Sequence, residues 1–71
     1  MPDTFAAWLA RKRAQRKMTL DAVGKAVGVS YAAVSQWESG TTKPQRLRMH
    51  LLDDLFGVAR GTVAKKLERA S

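Results

Sequence analysis

Cysteine is absent from the chain, so neither a disulfide framework nor a thiolate zinc site can brace it. Long apolar runs are missing too. Nothing approaches the ~18 residues that a membrane span needs, and the first residues show no apolar core of a signal peptide. Acidic residues are scarce, 6 against 13 Lys+Arg, which leaves a formal charge of +7. That balance points to anionic partners, with nucleic acid first among them, and to a cytoplasmic protein without a membrane partner. No linker, internal repeat or low-complexity stretch interrupts the 71 residues, so 1–71 reads as a single domain. A chain this short hides only about 60% of the surface its unfolded form exposes. Its 45% apolar content, with two Trp, two Phe and one Tyr, nevertheless argues against disorder and for a compact core.

What is present is helical periodicity, in five segments and with no convincing strand. The first runs from Thr4 to about Lys17, with Asp3 or Thr4 as its N-cap and Phe5, Trp8 and Leu9 at helical spacing. Its second half carries Arg11, Lys12, Arg13, Arg16 and Lys17, placed where the macrodipole favours cations, and readable either as a solvated face or as a phosphate contact. Trp8 either closes the core against the last helix or sits partly exposed. Thr19 caps a second helix, Leu20 to Val27, with Ala22 or Val23 and Val27 inward and Gly28 as its stop. Ser30 caps a third, Tyr31 to Ser39, ended by Gly40. After the loop Thr41-Thr42-Lys43-Pro44, a fourth helix spans about Gln45 to Phe56, with Leu47, Leu51, Leu52, Leu55 and Phe56 as the expected buried stripe. A fifth, about Gly61 to Ala70, places Val63 and Leu67 at i and i+4. The expected fold class is all-α.

The informative stretch runs from Thr19 to Gly40. Two short helices joined by Gly28-Val29-Ser30 must cross steeply, because the turn is too tight for an antiparallel hairpin. Close crossing requires a small residue, and Gly24 stands four before Gly28. Val23, Val27, Val29, Val34 and Trp37 fall where apolar groups fill the angle between the helices. Tyr31, Ala32, Ser35 and Gln36 are left on the outer face, small and polar side chains that suit a helix lying in a groove.

This pattern, Gly24, Gly28, Val29, Ser30 and then Val-Ser-Gln-Trp-Glu-Ser-Gly from Val34 to Gly40, resembles the helix-turn-helix of the lambda-type phage repressor and Cro family. The resemblance covers at least Phe5 to Val58. It implies a five-helix bundle of the lambda-repressor-like type, with the motif at helices 2 and 3 and the second motif helix docked in the major groove of double-stranded DNA. On that reading Ser30, Tyr31, Ala32, Ser35 and Gln36 face the bases. Ala32 offers a methyl to thymine, Ser35 a donor or acceptor, Gln36 a bidentate partner for adenine or a donor to a phosphate, and Tyr31 reach to a phosphate or a pyrimidine edge. Lys43, Arg46 and Arg48 match the family's phosphate-gripping loop and fourth-helix N-terminus, with Arg46 where relatives place an arginine near the minor groove. Arg13 and Glu38 match positions that pair behind the recognition helix. Two departures stand out. Leu20 occupies a position where close relatives often carry a DNA-reaching Gln, and Gly24 one where Ala is commoner.

The function that follows is a sequence-specific transcriptional regulator of Cro or repressor type, in a bacterial or phage-infected cell. It would act as a homodimer on a near-palindromic operator and block transcription, with Val63 and Leu67 of the last helix as the expected dimer surface. The alternative is an antitoxin-like helical interaction module that binds DNA secondarily. No catalytic, metal or cofactor site and no small-molecule ligand is expected. His50 lacks a neighbouring ligand partner and reads as a surface or rim residue. Asp53 and Asp54, being adjacent, lie on different helix faces without a nucleophile near them in sequence.

Overall fold

The computed structural model describes the backbone of residues 4–70 and the side chains of residues 4–68. Among the described residues all regular structure is helical, in five elements: α1 (Phe5–Gln15), α2 (Leu20–Val27), α3 (Tyr31–Ser39), α4 (Arg46–Leu55) and α5 (Thr62–Ala70). The first three begin on local hydroxyl caps. Thr4 Oγ1 accepts the Ala7 amide at 3.1 Å, Thr19 Oγ1 that of Ala22 at 3.0 Å, and Ser30 Oγ that of Ala33 at 3.3 Å. The alternative cap Asp3 lies outside the described residues. α2 and α3 end on Gly28 and Gly40 at φ +78° and +79°, the left-handed conformation that lets a helix stop abruptly.

α1 stops two residues before Lys17, and does so without a glycine. Lys17 itself takes φ +54°, while the Met18 amide donates to Arg13 O and the Lys17 amide to Ala14 O, at 3.1 and 3.0 Å. This is the paired capping arrangement normally built on Gly, here carried by a residue with a Cβ.

The core gathers residues from all five helices: Phe5, Trp8, Leu9, Val23, Val27, Val34, Trp37, Leu52, Phe56, Val63 and Leu67. α1 packs on α3 and α5, α2 crosses α3 and leans on α4, and α4 packs on α5. Trp8 is buried against the last helix. Its ring meets Phe56 edge-on at 5.9 Å and carries the Lys66 ammonium 5.6 Å above it.

Two expectations about packing are corrected. Leu47 is 62% exposed, not part of a buried stripe. Leu51, Leu52, Leu55 and Phe56 do pack inward as expected, and Met49 and Asp53 join them on that face. Apolarity alone could not locate all of that face, because the fully buried Asp53 sits in the middle of it. Val63 and Leu67 belong to the core, so they cannot form a surface between two copies.

Asp53 has a structural purpose. Its Oδ2 accepts the Gly61 amide at 2.8 Å and its Oδ1 the Val63 amide at 3.0 Å. The carboxylate of α4 thereby supplies the N-terminal cap of α5, satisfying buried donors and setting a negative charge at the positive end of that helix.

Candidate nucleic-acid interface

The crossing of α2 over α3 depends on one bare backbone site. A Cβ built on Gly24 would lie 2.5 Å from the Val29 carbonyl oxygen and 3.2 Å from Ser30 backbone atoms. Val29 is held there, its amide donating to Gly24 O at 2.8 Å. Glycine at this position is therefore a steric requirement of the turn, which outweighs its poor helix propensity.

With the crossing fixed, α3 has an inside and an outside. Val34 and Trp37 point into the core, at 0% and 4% exposure, which turns Tyr31, Ala32, Ser35 and Gln36 outward. All four are exposed, Tyr31 by 61%. Ser30 is exposed as well, but its hydroxyl oxygen is already committed to the Ala33 amide, leaving its O–H to donate. Ser39 extends the same face one turn further, beyond the residues that the sequence pattern names, and its i+4 spacing from Ser35 is the signal for it. Its hydroxyl donates to Gln36 O at 3.0 Å and lies 2.8 Å from Thr41 Oγ1, so it braces the start of the following loop.

Behind α3, Arg13 and Glu38 form the ion pair expected from the resemblance. Arg13 Nε and a terminal guanidinium nitrogen donate to the two carboxylate oxygens at 2.6 and 3.1 Å, and a third donor reaches Met18 O at 3.0 Å. The pair is mostly shielded, with 26% and 13% side-chain exposure. The hydrogen bond to Glu38 is the first reason that the Arg13 pKa lies above its ordinary value; burial opposes it and the Glu38 charge adds to it. A raised arginine pKa stabilises the fold at all pH below the unfolded value. The guanidinium is therefore charged throughout the working range and adds no titration there.

Four further cations separate into two groups. Arg16, read in the sequence as part of a basic run, turns to the end of α4, donating to Phe56 O at 3.1 Å and Leu55 O at 3.5 Å. Arg48 folds over the motif's turn, its guanidinium atoms 3.6–3.9 Å from where a Gly28 Cβ would stand. Lys43 and Arg46, by contrast, are exposed on either side of the start of α4. That helix, unlike α1 to α3, has no side-chain hydrogen bond capping it. No side chain caps its first amides, and the dipole there favours an anion. Lys43 and Arg46 also border a cleft of about 500 Å³ together with the half-buried His50, whose Nδ1 is shielded and has no protein partner. The described residues contain no cluster of three or more His, Asp or Glu able to hold a metal ion.

Comparison with known proteins agrees with this geometry. No curated protein sequence matches the chain. Among solved structures it is similar to the P22 c2 repressor protein, crystallised in complex with synthetic operator 9T in the presence of Tl+. The TM-score is 0.81 at 28% sequence identity, over 89% of this chain and 96% of that one. The helix-turn-helix family HTH_3 matches residues 9–63, from Leu9 in α1 to Val63 in α5. With most of its length inside that match and its motif helices crossed in this way, the chain belongs to the lambda repressor/Cro-like helix-turn-helix family of DNA-binding regulators.

Proposed function

We propose that the protein is a sequence-specific repressor that binds a near-palindromic operator as a homodimer, in the cytoplasm of a bacterial or phage-infected cell. The observation that carries this reading is the division of α3, whose inner side is locked by Val34, Trp37 and the Arg13–Glu38 pair. Its outer side, Tyr31, Ala32, Ser35 and Gln36, is exposed. Ser30 stands at the N-terminal edge of that face. Lys43, Arg46 and the uncapped start of α4 would hold a phosphate of the same duplex. The similarity to a repressor bound to operator DNA supports the same docking.

One helix of this length covers only a few base pairs, too few for useful specificity. Two copies on half-sites about 34 Å apart resolve that shortfall, and a bound pair overlapping a promoter would exclude polymerase. The antitoxin-like alternative requires an apolar docking face. The large hydrophobic side chains that are exposed among the described residues, Tyr31 and Leu47, lie on different helices, and the cationic surroundings favour DNA.

Selection of bound sequences from a random duplex pool tests the reading. A two-fold symmetric consensus with one turn between half-site centres is the expected result. Recovery of unenriched sequences would overturn it.

A further inference from the structure

His50 Nδ1 is shielded from solvent and has no hydrogen-bond partner among the described residues. The residue as a whole is only half-buried and lines the cleft beside Lys43 and Arg46, so the open edge of its ring is the one that carries Nε2. A neutral imidazole has one N–H and one lone pair. A proton on Nδ1 would be a donor stranded away from water, which costs more than an idle lone pair. The proton therefore sits on Nε2, at the cleft.

That cleft runs between Lys43, Arg46 and Met49 on one side and Ala64, Leu67 and Glu68 of α5 on the other. His50 stands four residues after Arg46, on the same face of α4 and about 6 Å from it. Side chains of a helix tilt toward its N-terminus, so the imidazole leans over the first turn of α4, the turn whose amides no side chain caps. A group entering beside Arg46 therefore meets an ammonium, a guanidinium and the N–H of an imidazole. All three donate and none accepts, which is the complement of an oxyanion. Glu68 repels an anion from the α5 side and so confines it to the end where Lys43 and Arg46 stand.

We infer that His50 is a third, uncharged ligand of the duplex phosphate held by Lys43 and Arg46, donating to it through Nε2–H. This rests on the operator reading above and adds to it a contact that the distribution of charge does not reveal. Counterion release counts charged groups alone, so a neutral donor raises affinity without steepening the salt dependence. The contact is to backbone, so it strengthens binding to every sequence alike.

Binding of the full chain to operator and to random duplex, at about pH 8 where an ordinary imidazole is uncharged, tests the assignment. His50→Ala should weaken both about tenfold, with the slope of log K against log salt unchanged. His50→Gln, whose amide N–H can occupy the place of Nε2–H, should recover most of that affinity. His50→Asn, whose shorter amide falls at the place of Nδ1, should not. In the parent, nitrogen NMR should find the proton on Nε2 and see that N–H shift when duplex is added. Melting curves separate a lost contact from a lost fold, and the glutamine variant and the nitrogen spectrum decide the matter even where the alanine variant fails to fold. A salt slope reduced by about one in His50→Ala overturns the neutral donor in favour of an imidazolium. Parental affinity in His50→Ala, a proton found on Nδ1, or equal weakening in all three variants overturns the contact. Each of these results leaves the operator reading standing, whereas an unenriched pool in the selection overturns that reading and leaves the phosphate contact to be judged on random duplex.

Discussion

Replacing Gly24 with alanine sets two effects of known sign against each other. Helix propensity favours the change by about 1 kcal/mol, since Gly24 sits in the interior of α2. Sterics oppose it, because the new Cβ would stand 2.5 Å from Val29 O, against the 3.3 Å or more at which carbon and carbonyl oxygen normally meet. The obstacle is backbone and cannot swing aside like a side chain. Val29 is pinned by its own amide bond to Gly24 O, and Ser30, which caps α3, follows directly. Relief therefore requires the turn to open by most of an ångström, a crowding cost of about 1–3 kcal/mol. The expected net effect is destabilisation by about 1 kcal/mol or more, which in a domain of this size lowers Tm by roughly 4–8 °C. Thermal unfolding followed by circular dichroism measures it. Operator affinity should fall beyond what the lost stability explains, because the angle of α3 changes with the turn. If Gly24→Ala melted at or above the parent temperature and bound operator unchanged, the turn would have slack, and the steric account of the crossing would be wrong.

Four further outcomes are expected. Lys17→Gly should raise stability by about 1 kcal/mol, read as a higher Tm, because the left-handed conformation at the end of α1 no longer opposes a Cβ. Asp53→Ala should cost about 2–4 kcal/mol by stranding the amides of Gly61 and Val63, and Asp53→Asn should recover part of it through its one remaining acceptor; urea midpoints compare them. Arg13→Met should cost about 1–3 kcal/mol and Glu38→Gln less, and the double variant should lose less than the sum, which a double-mutant cycle checks. Lys43→Ala should weaken binding to operator and to random duplex alike and reduce the slope of log K against log salt by about one, whereas Arg16→Ala should leave that slope unchanged.

The motif itself was open to reading because its signals are local. Thr19, Gly28, Ser30 and Gly40 act within three or four residues of themselves, so the bounds of α2 and α3 follow from adjacent letters. The outward face of α3 followed from the same spacing, with Val34 and Trp37 marking its inner side. What escaped was non-local. Asp53 caps amides eight and ten residues ahead, and nothing in the composition of α4 distinguishes that carboxylate from its exposed neighbour Asp54. Arg16 reaches carbonyls 39 and 40 residues away, which no pattern in a basic run records. Leucines at i and i+4 imply a stripe, and on that pattern Leu47 reads as inward. The rest of that stripe, Leu51, Leu52, Leu55 and Phe56, does pack inward, but the buried side also includes an aspartate and leaves Leu47 outside it.

Finally, the two tryptophans share one core but have different neighbours. Trp37 lies directly behind the outward side of α3, while Trp8 stacks among Phe5, Phe56 and the ammonium of Lys66, next to α5. The chain thus contains two intrinsic fluorophores, one packed behind the outward side of α3 and the other against Phe56 and Lys66. Single-indole versions would let the unlabelled protein report, by emission colour and lifetime, whether occupancy of the duplex disturbs the terminal helix or stays confined to the groove side.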